Sequence, residues 1–167
     1  MKQWKKLILL TGILSMMSIG VYGCSSSINT QCKEVIESFE TSCNDLDVKG
    51  VLNCINPKVS DPIKAVLALT NVISDQNLDG YLVEIIGSIA GELSESIAAE
   101  DVSTSELLAG IQITPKKYKM KSKKGTVYCT ATFKINEMEI TKYIGIDMIK
   151  SNGEWYISGM ALAEEKE

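Results

Sequence analysis

The apolar positions of this chain change period once along its length. Cys32, Val35, Ile36, Phe39, Cys43 and Leu46 recur at the three-and-four spacing of one helical face, with Lys33, Glu34, Glu37, Ser38 and Glu40 on the opposite side. The spacing predicts a helix from near Thr30 to Asn44. Asp45 or Asp47 then caps a shorter helix that carries Val48, Val51, Leu52 and Ile55 and ends at Asn56-Pro57. Asp61-Pro62 reads as an acidic cap followed by a first-turn proline, starting a third helix with Ile63, Val66, Leu67, Thr70 and Ile73 inward, as far as Asp75. A further helix is expected over about 81–99, with Leu82, Ile85, Ile86, Ile89, Leu93 and Ile97 on its apolar side.

Beyond residue 110 the period becomes two. Ile111 and Ile113 alternate with polar residues, and Pro115 limits that strand to a sheet edge or marks a bulge. Tyr118 and Met120 alternate with lysines. Val127, Cys129, Ala131, Phe133 and Ile135 alternate with Thr126, Tyr128, Thr130, Thr132 and Lys134. Asn136-Glu137 makes a turn, after which Met138, Ile140, Ile144, Ile146 and Met148 share a face. Ser151-Asn152-Gly153 is a hairpin signal, and the last strand puts Trp155 and Ile157 on one side. Helices followed by strands predict an α+β fold: N-terminal helices packed on a curved antiparallel sheet of about four to five strands. The expected division is a leader over 1–23, a flexible tether over 24–30, one α+β domain over 31–160 and an acidic tail over 161–167. Within the domain, 31–109 is helical and 110–160 is sheet.

The leader is read from its charge pattern. Lys2, Lys5 and Lys6 precede an uncharged apolar run over 7–22, and the chain turns polar straight after Cys24. That is a secretory signal, and the run of about 16 residues falls short of the ~20 that a membrane-spanning helix needs. Val21-Tyr22-Gly23-Cys24 resembles the lipobox of bacterial lipoproteins. That resemblance implies a diacylglycerol on the Cys24 sulfur, cleavage just before it, and a chain anchored to the extracytoplasmic face of the cell membrane, as on a Gram-positive surface. Tyr22 is larger than the residue usual there.

Composition narrows the chemistry. All 17 basic residues are lysine, and there is no histidine or arginine. No histidine relay or histidine-ligated zinc is available, and no bidentate guanidinium fork. No phosphate-binding glycine loop, Cys-x-x-Cys pair or calcium loop is present, so no metal or cofactor is implied. Without residues 1–23 the chain keeps 14 lysines against 21 acids. The charge is uneven, negative before Lys116 and positive after it. An acidic, exported chain does not suit nucleic acid.

Three groups of residues stand out. Lys116, Lys117, Lys119, Lys121, Lys123 and Lys124 concentrate positive charge within nine positions; they suit either contact with an anionic surface or protection of an edge strand. Cys43 and Cys54 flank the break near Asp47, where antiparallel helices would bring them together as a disulfide; alternatively all four later cysteines are buried thiols. Asp147, Tyr143 and Tyr128 lie on strands, opposite the apolar face.

The element order is similar to the nuclear-transport-factor-two-like family, the cystatin-like cone fold, as it occurs in small bacterial lipoproteins. The residues that carry it are Val35-Ile36-Glu37-Ser38-Phe39 leading to Asp45-Leu46-Asp47, and residues 126–135, 140–150 and Asn152-Gly153-Glu154-Trp155-Tyr156-Ile157. The resemblance implies a curved sheet around the first helix, enclosing a cavity. Some members are enzymes that use a His, or an Asp base with a Tyr donor, in that cavity; here Phe39 occupies the first helix and there is no His. The expectation is therefore a non-enzymatic module that binds a small apolar ligand or an envelope protein, with a small cavity isomerase or hydrolase using Asp and Tyr as the alternative.

Overall fold

The computed structural model describes residues 27–70, 85, 109–135 and 138–164. Helices α1 (Ile28–Asn44), α2 (Val48–Cys54) and α3 (Pro57–Thr70) precede strands β1 (Ile111–Met120), β2 (Lys124–Ile135), β3 (Met138–Ser151) and β4 (Glu154–Leu162). The strands form one antiparallel sheet in the order β1-β2-β3-β4, so each pairs with its sequence neighbour. Cys24 and the leader, the expected end of α3, most of the helix over 81–99, the Asn136-Glu137 turn and residues 165–167 lie outside the described residues; Ile85 is helical and buried.

The helix boundaries follow their caps. α1 starts at Ile28 because the Ser27 hydroxyl accepts from the Thr30 N–H at 3.3 Å. Residues 28–30, expected in the tether, are thus helical. α1 ends in two reverse backbone bonds, Asp47 N–H to Ser42 C=O and Leu46 N–H to Cys43 C=O, the pattern that usually recruits glycine. Here Leu46 takes the positive φ, 53°, and its side chain still reaches the core. α3 begins four residues before the expected Asp61-Pro62 start. Asn56 Oδ1 accepts from the Lys58 N–H at 3.2 Å, and Pro57 fills the first helical position, where no N–H is needed. The dipeptide that stops α2 therefore also starts α3, and Pro62 falls inside that helix.

The core lies between α1, α2 and one face of the sheet. Cys32, Ile36, Phe39 and Cys43 of α1 and Val51 and Leu52 of α2 meet Val127, Cys129, Ala131, Ile144, Ile146, Met148 and Ile157, all at most 1% exposed. β1 is an edge strand with a register shift between Pro115 and Lys117. That single bulge moves the inward set from Ile111 and Ile113 to Tyr118 and Met120.

Polar groups of α1 and of the α2–α3 link bond both sheet edges. On the β1 side the Ile113 N–H donates to Glu40 Oε2 at 2.7 Å, and Asn44 Nδ2 donates to the Ile111 carbonyl at 3.1 Å. On the β4 side the Asn56 N–H donates to the Ile157 carbonyl at 2.8 Å. Three of the backbone groups that would template pairing with another chain are thereby used.

Candidate functional site

The β3–β4 hairpin turns on Asn152 and Gly153, both with positive φ, as the Asn-Gly signal requires. The turn delivers Trp155 to the inner side of β4, where the residue is 4% exposed. Lys150, its cross-strand partner, holds its ammonium 5.9 Å from the indole centroid. Beside the indole lies a cleft of about 440 Å³, bounded by α1 (Glu34, Val35, Ser38), α2 (Asn53, Cys54) and the hairpin (Glu154, Trp155). This is within the size range of ligand sites.

The chemistry of the cleft centres on one atom. The indole N–H of Trp155 is fully buried and has no hydrogen-bond partner among the described residues. Such an orphaned donor costs about 1–3 kcal/mol, and native proteins rarely leave one. The polar residues lining the cleft are Glu34, Glu154, Ser38 and Asn53. Glu154 accepts from the Tyr156 hydroxyl at 2.8 Å, which pushes the Tyr156 phenol above its ordinary range. Burial pushes the Cys54 thiol up to about 11, with Asp47 adding to the effect and Lys64 opposing it. It stays protonated at neutral pH and is no nucleophile there.

Other expected residues take different places. Lys117 and Lys119 lie on the outer face of the sheet. There they border a depression of about 320 Å³ with Tyr128, Tyr143 and Glu164. The two tyrosines stack at 6.1 Å, and Lys119 Nζ sits 4.9 Å from the Tyr128 ring centroid. Gly145 faces Tyr128 across the ladder and leaves the ring room. Lys116 occupies the β1 bulge, and Lys121, Lys123 and Lys124 lie at the β1–β2 turn; all six lysines are exposed. Asp147 is exposed on the outer face and accepts from the Thr126 hydroxyl at 2.6 Å. Asp147 and Tyr143 thus share the outer face with Tyr128, away from the buried core.

The Cys43–Cys54 pairing is not made: Cys32, Cys43, Cys54 and Cys129 are all free and buried. Cys43 and Cys54 do lie within electrostatic reach of each other. The thiols pack as small apolar groups among isoleucine and valine, and burial pushes Cys43 and Cys129 up to about 12. Among the described residues no cluster of His, Cys, Asp and Glu could hold a metal ion.

The hydrophobic pattern already places Trp155 inward with Ile157. Nothing in it marks the indole N–H as unpartnered, and Glu34 and Ser38 read as an exposed helix flank. The cleft exists because α2 and the hairpin extend past that flank, a tertiary effect that neither periodicity records.

No protein-family model matches the chain, and no curated protein matches it. Among solved structures, an NTF-2-like protein of unknown function from Shewanella oneidensis matches with a TM-score of 0.51 at 12% identity, over 83% of this chain and 100% of that one. A protein of unknown function from Mycobacterium tuberculosis matches with a TM-score of 0.45 at 12% identity, over 83% of this chain and 72% of that one. At such identity likeness speaks for the fold alone, and the assignment rests on the first match. The chain has an NTF2-like α+β fold: among the described residues, three N-terminal helices are packed on a four-stranded antiparallel sheet.

Proposed function

We propose that this protein is an extracytoplasmic lipoprotein, tethered to the cell membrane through Cys24, whose folded domain is a non-enzymatic binding module. Its site is the cleft between α1, α2 and the β3–β4 hairpin. The carrying observation is the buried, unpartnered indole N–H of Trp155 beside that cleft. A ligand that displaces the side chains covering the indole would supply the acceptor it lacks. Glu34, Glu154 and the half-buried Val35 line the cleft. An extended peptide segment with a cationic side chain suits all three: a carbonyl accepts from the indole, amide N–H groups and the cation meet Glu34 and Glu154, and aliphatic atoms cover Val35. An envelope protein would supply such a segment.

The chain from residue 25 onward contains one tryptophan, Trp155, so its fluorescence reports on the site alone. Titration with acetyl-Ala-Lys-Ala-amide is expected to change Trp155 emission saturably, and acetyl-Ala-Ala-Ala-amide to bind more weakly. Calorimetry is expected to lose the binding in Trp155→Phe. No response to either peptide, or equal binding by the Phe variant, would contradict the proposal.

A further inference from the structure

α1 runs antiparallel to β1. Near its C-terminal end Asn44 bonds Ile111 and Glu40 bonds Ile113. Near its N-terminal end Cys32 and Lys33 lie within electrostatic reach of Tyr118, and Cys32 within that of Lys150. The start of α1 therefore sits at the end of the sheet where β1 turns into β2. The lysines gather at that same end. Lys119 pairs with Thr126 just before the turn, the Lys121 N–H bonds the Lys124 carbonyl, and the Lys150 N–H bonds the Lys123 carbonyl, each at 2.8 Å. The acids nearby are Glu34, Glu37, Glu154, Asp147, which accepts from the Thr126 hydroxyl opposite Lys119, and Glu164, which borders the outer depression with Lys117 and Lys119. Glu37 is held by Lys33 at 3.0 Å, and Glu154 accepts from the Tyr156 hydroxyl. Among the described residues no acid forms an ion pair with Lys119, Lys121, Lys123 or Lys124.

Chain length adds the decisive constraint. Cys24 stands three residues before Ser27, the cap of α1. Fully extended, those residues span at most about 10 Å, comparable with the ~8 Å screening length of physiological salt. An anchor at Cys24 holds this end of the domain, and no other, inside the electrostatic field of the leaflet.

We infer that the lysine-bearing β1–β2 turn docks on anionic lipid headgroups of the leaflet that holds the anchor, fixing how the domain stands on the membrane. The inference rests on the lipoprotein reading for the nearness of the surface. The acyl chains supply the attachment, and the lysines supply the orientation. Each lysine at an anionic surface strengthens binding roughly fivefold. The Trp155 cleft lies at the same end and would open beside the membrane.

The test separates the two readings by using unacylated protein. Every core residue described lies at or beyond Cys32, so the chain from residue 25 onward retains that core, which circular dichroism checks. It is titrated with vesicles of phosphatidylcholine alone and of phosphatidylcholine mixed with phosphatidylglycerol. Binding is expected only to the mixed vesicles, falling as salt rises. The triple variant Lys121→Gln/Lys123→Gln/Lys124→Gln is expected to bind roughly a hundredfold more weakly. Lys134→Gln, at the opposite end of the sheet, is expected to leave binding unchanged. Equal binding to both vesicles, an unaffected triple variant, a Lys134→Gln loss of the same size, or binding to soluble poly(glycerol phosphate) without vesicle binding would each overturn the inference. Acylation of Cys24 in cells is measured independently, so its absence would defeat the anchor reading without altering the vesicle result.

Discussion

The two faces of the sheet are built from the same strands and follow opposite rules. On the inner face Val127, Cys129, Ala131, Ile144, Ile146, Met148 and Ile157 are at most 1% exposed. On the outer face Thr126, Tyr128, Thr130, Thr132, Tyr143 and Asp147 are partly or fully exposed, and only Gly145, under the Tyr128 ring, is buried among these intervening positions. The inner face joins α1 and α2 in one core, so each residue there is constrained by volume. The outer face is held by single contacts, such as the Thr126–Asp147 hydrogen bond and the Tyr128–Tyr143 stack. Stability belongs to the first face, and the second is free to vary.

Three predictions would break or sharpen that contrast. The largest effect belongs to Phe39→Ala, which empties the centre of the α1–sheet contact. Urea unfolding should show a loss of about 3–5 kcal/mol, and a loss under 1 kcal/mol would mean that the core is not packed as described. Next comes alkali. Burial holds the Cys43 and Cys129 thiols at about 12 in the folded chain, against 9.0 unperturbed. A raised folded pKa means that the unfolded chain loses its proton first. Stability should therefore be flat below pH 9, then fall by about 1.4 kcal/mol per pH unit for each thiol until about pH 12. Replacing both by alanine should remove their share of that slope and leave the share of Cys32 and Cys54, whose thiols burial raises to about 11 and which therefore contribute between pH 9 and 11. The smallest effect belongs to the outer face: Thr126→Val should cost about 1 kcal/mol or less, since Asp147 is exposed and water takes the place of the hydroxyl. A loss as large as that of Phe39→Ala would erase the distinction between the faces.

The inner face was readable in advance because period two is a local property. The alternation at Val127, Cys129, Ala131 and Phe133 survives intact, and Pro115 marks both the edge and the bulge. Helix starts were harder. Ser27 and Asn56 cap earlier than the apolar pattern suggests, because a cap depends on one side-chain oxygen and not on a stripe. The cleft was illegible for another reason. Glu34 and Ser38 lie on a flank that any isolated helix would turn to water, and only the approach of α2 and the hairpin makes it a wall. The lysine cluster could be seen as charge, but its nearness to the start of α1 depends on the antiparallel course of α1 along β1. Two residues far apart in sequence, Asn44 and Ile111, reveal that course.

Membrane placement at Cys24 is the claim on which the function and the lysine orientation both depend, and the mass of the N-terminal peptide tests it most directly. Protein recovered from the membranes of the producing cells is digested, and its N-terminal fragment is weighed. A fragment beginning at Cys24 and carrying a diacylglycerol thioether is the predicted result. A fragment beginning at Met1, or one holding an unmodified Cys24 thiol, would contradict it.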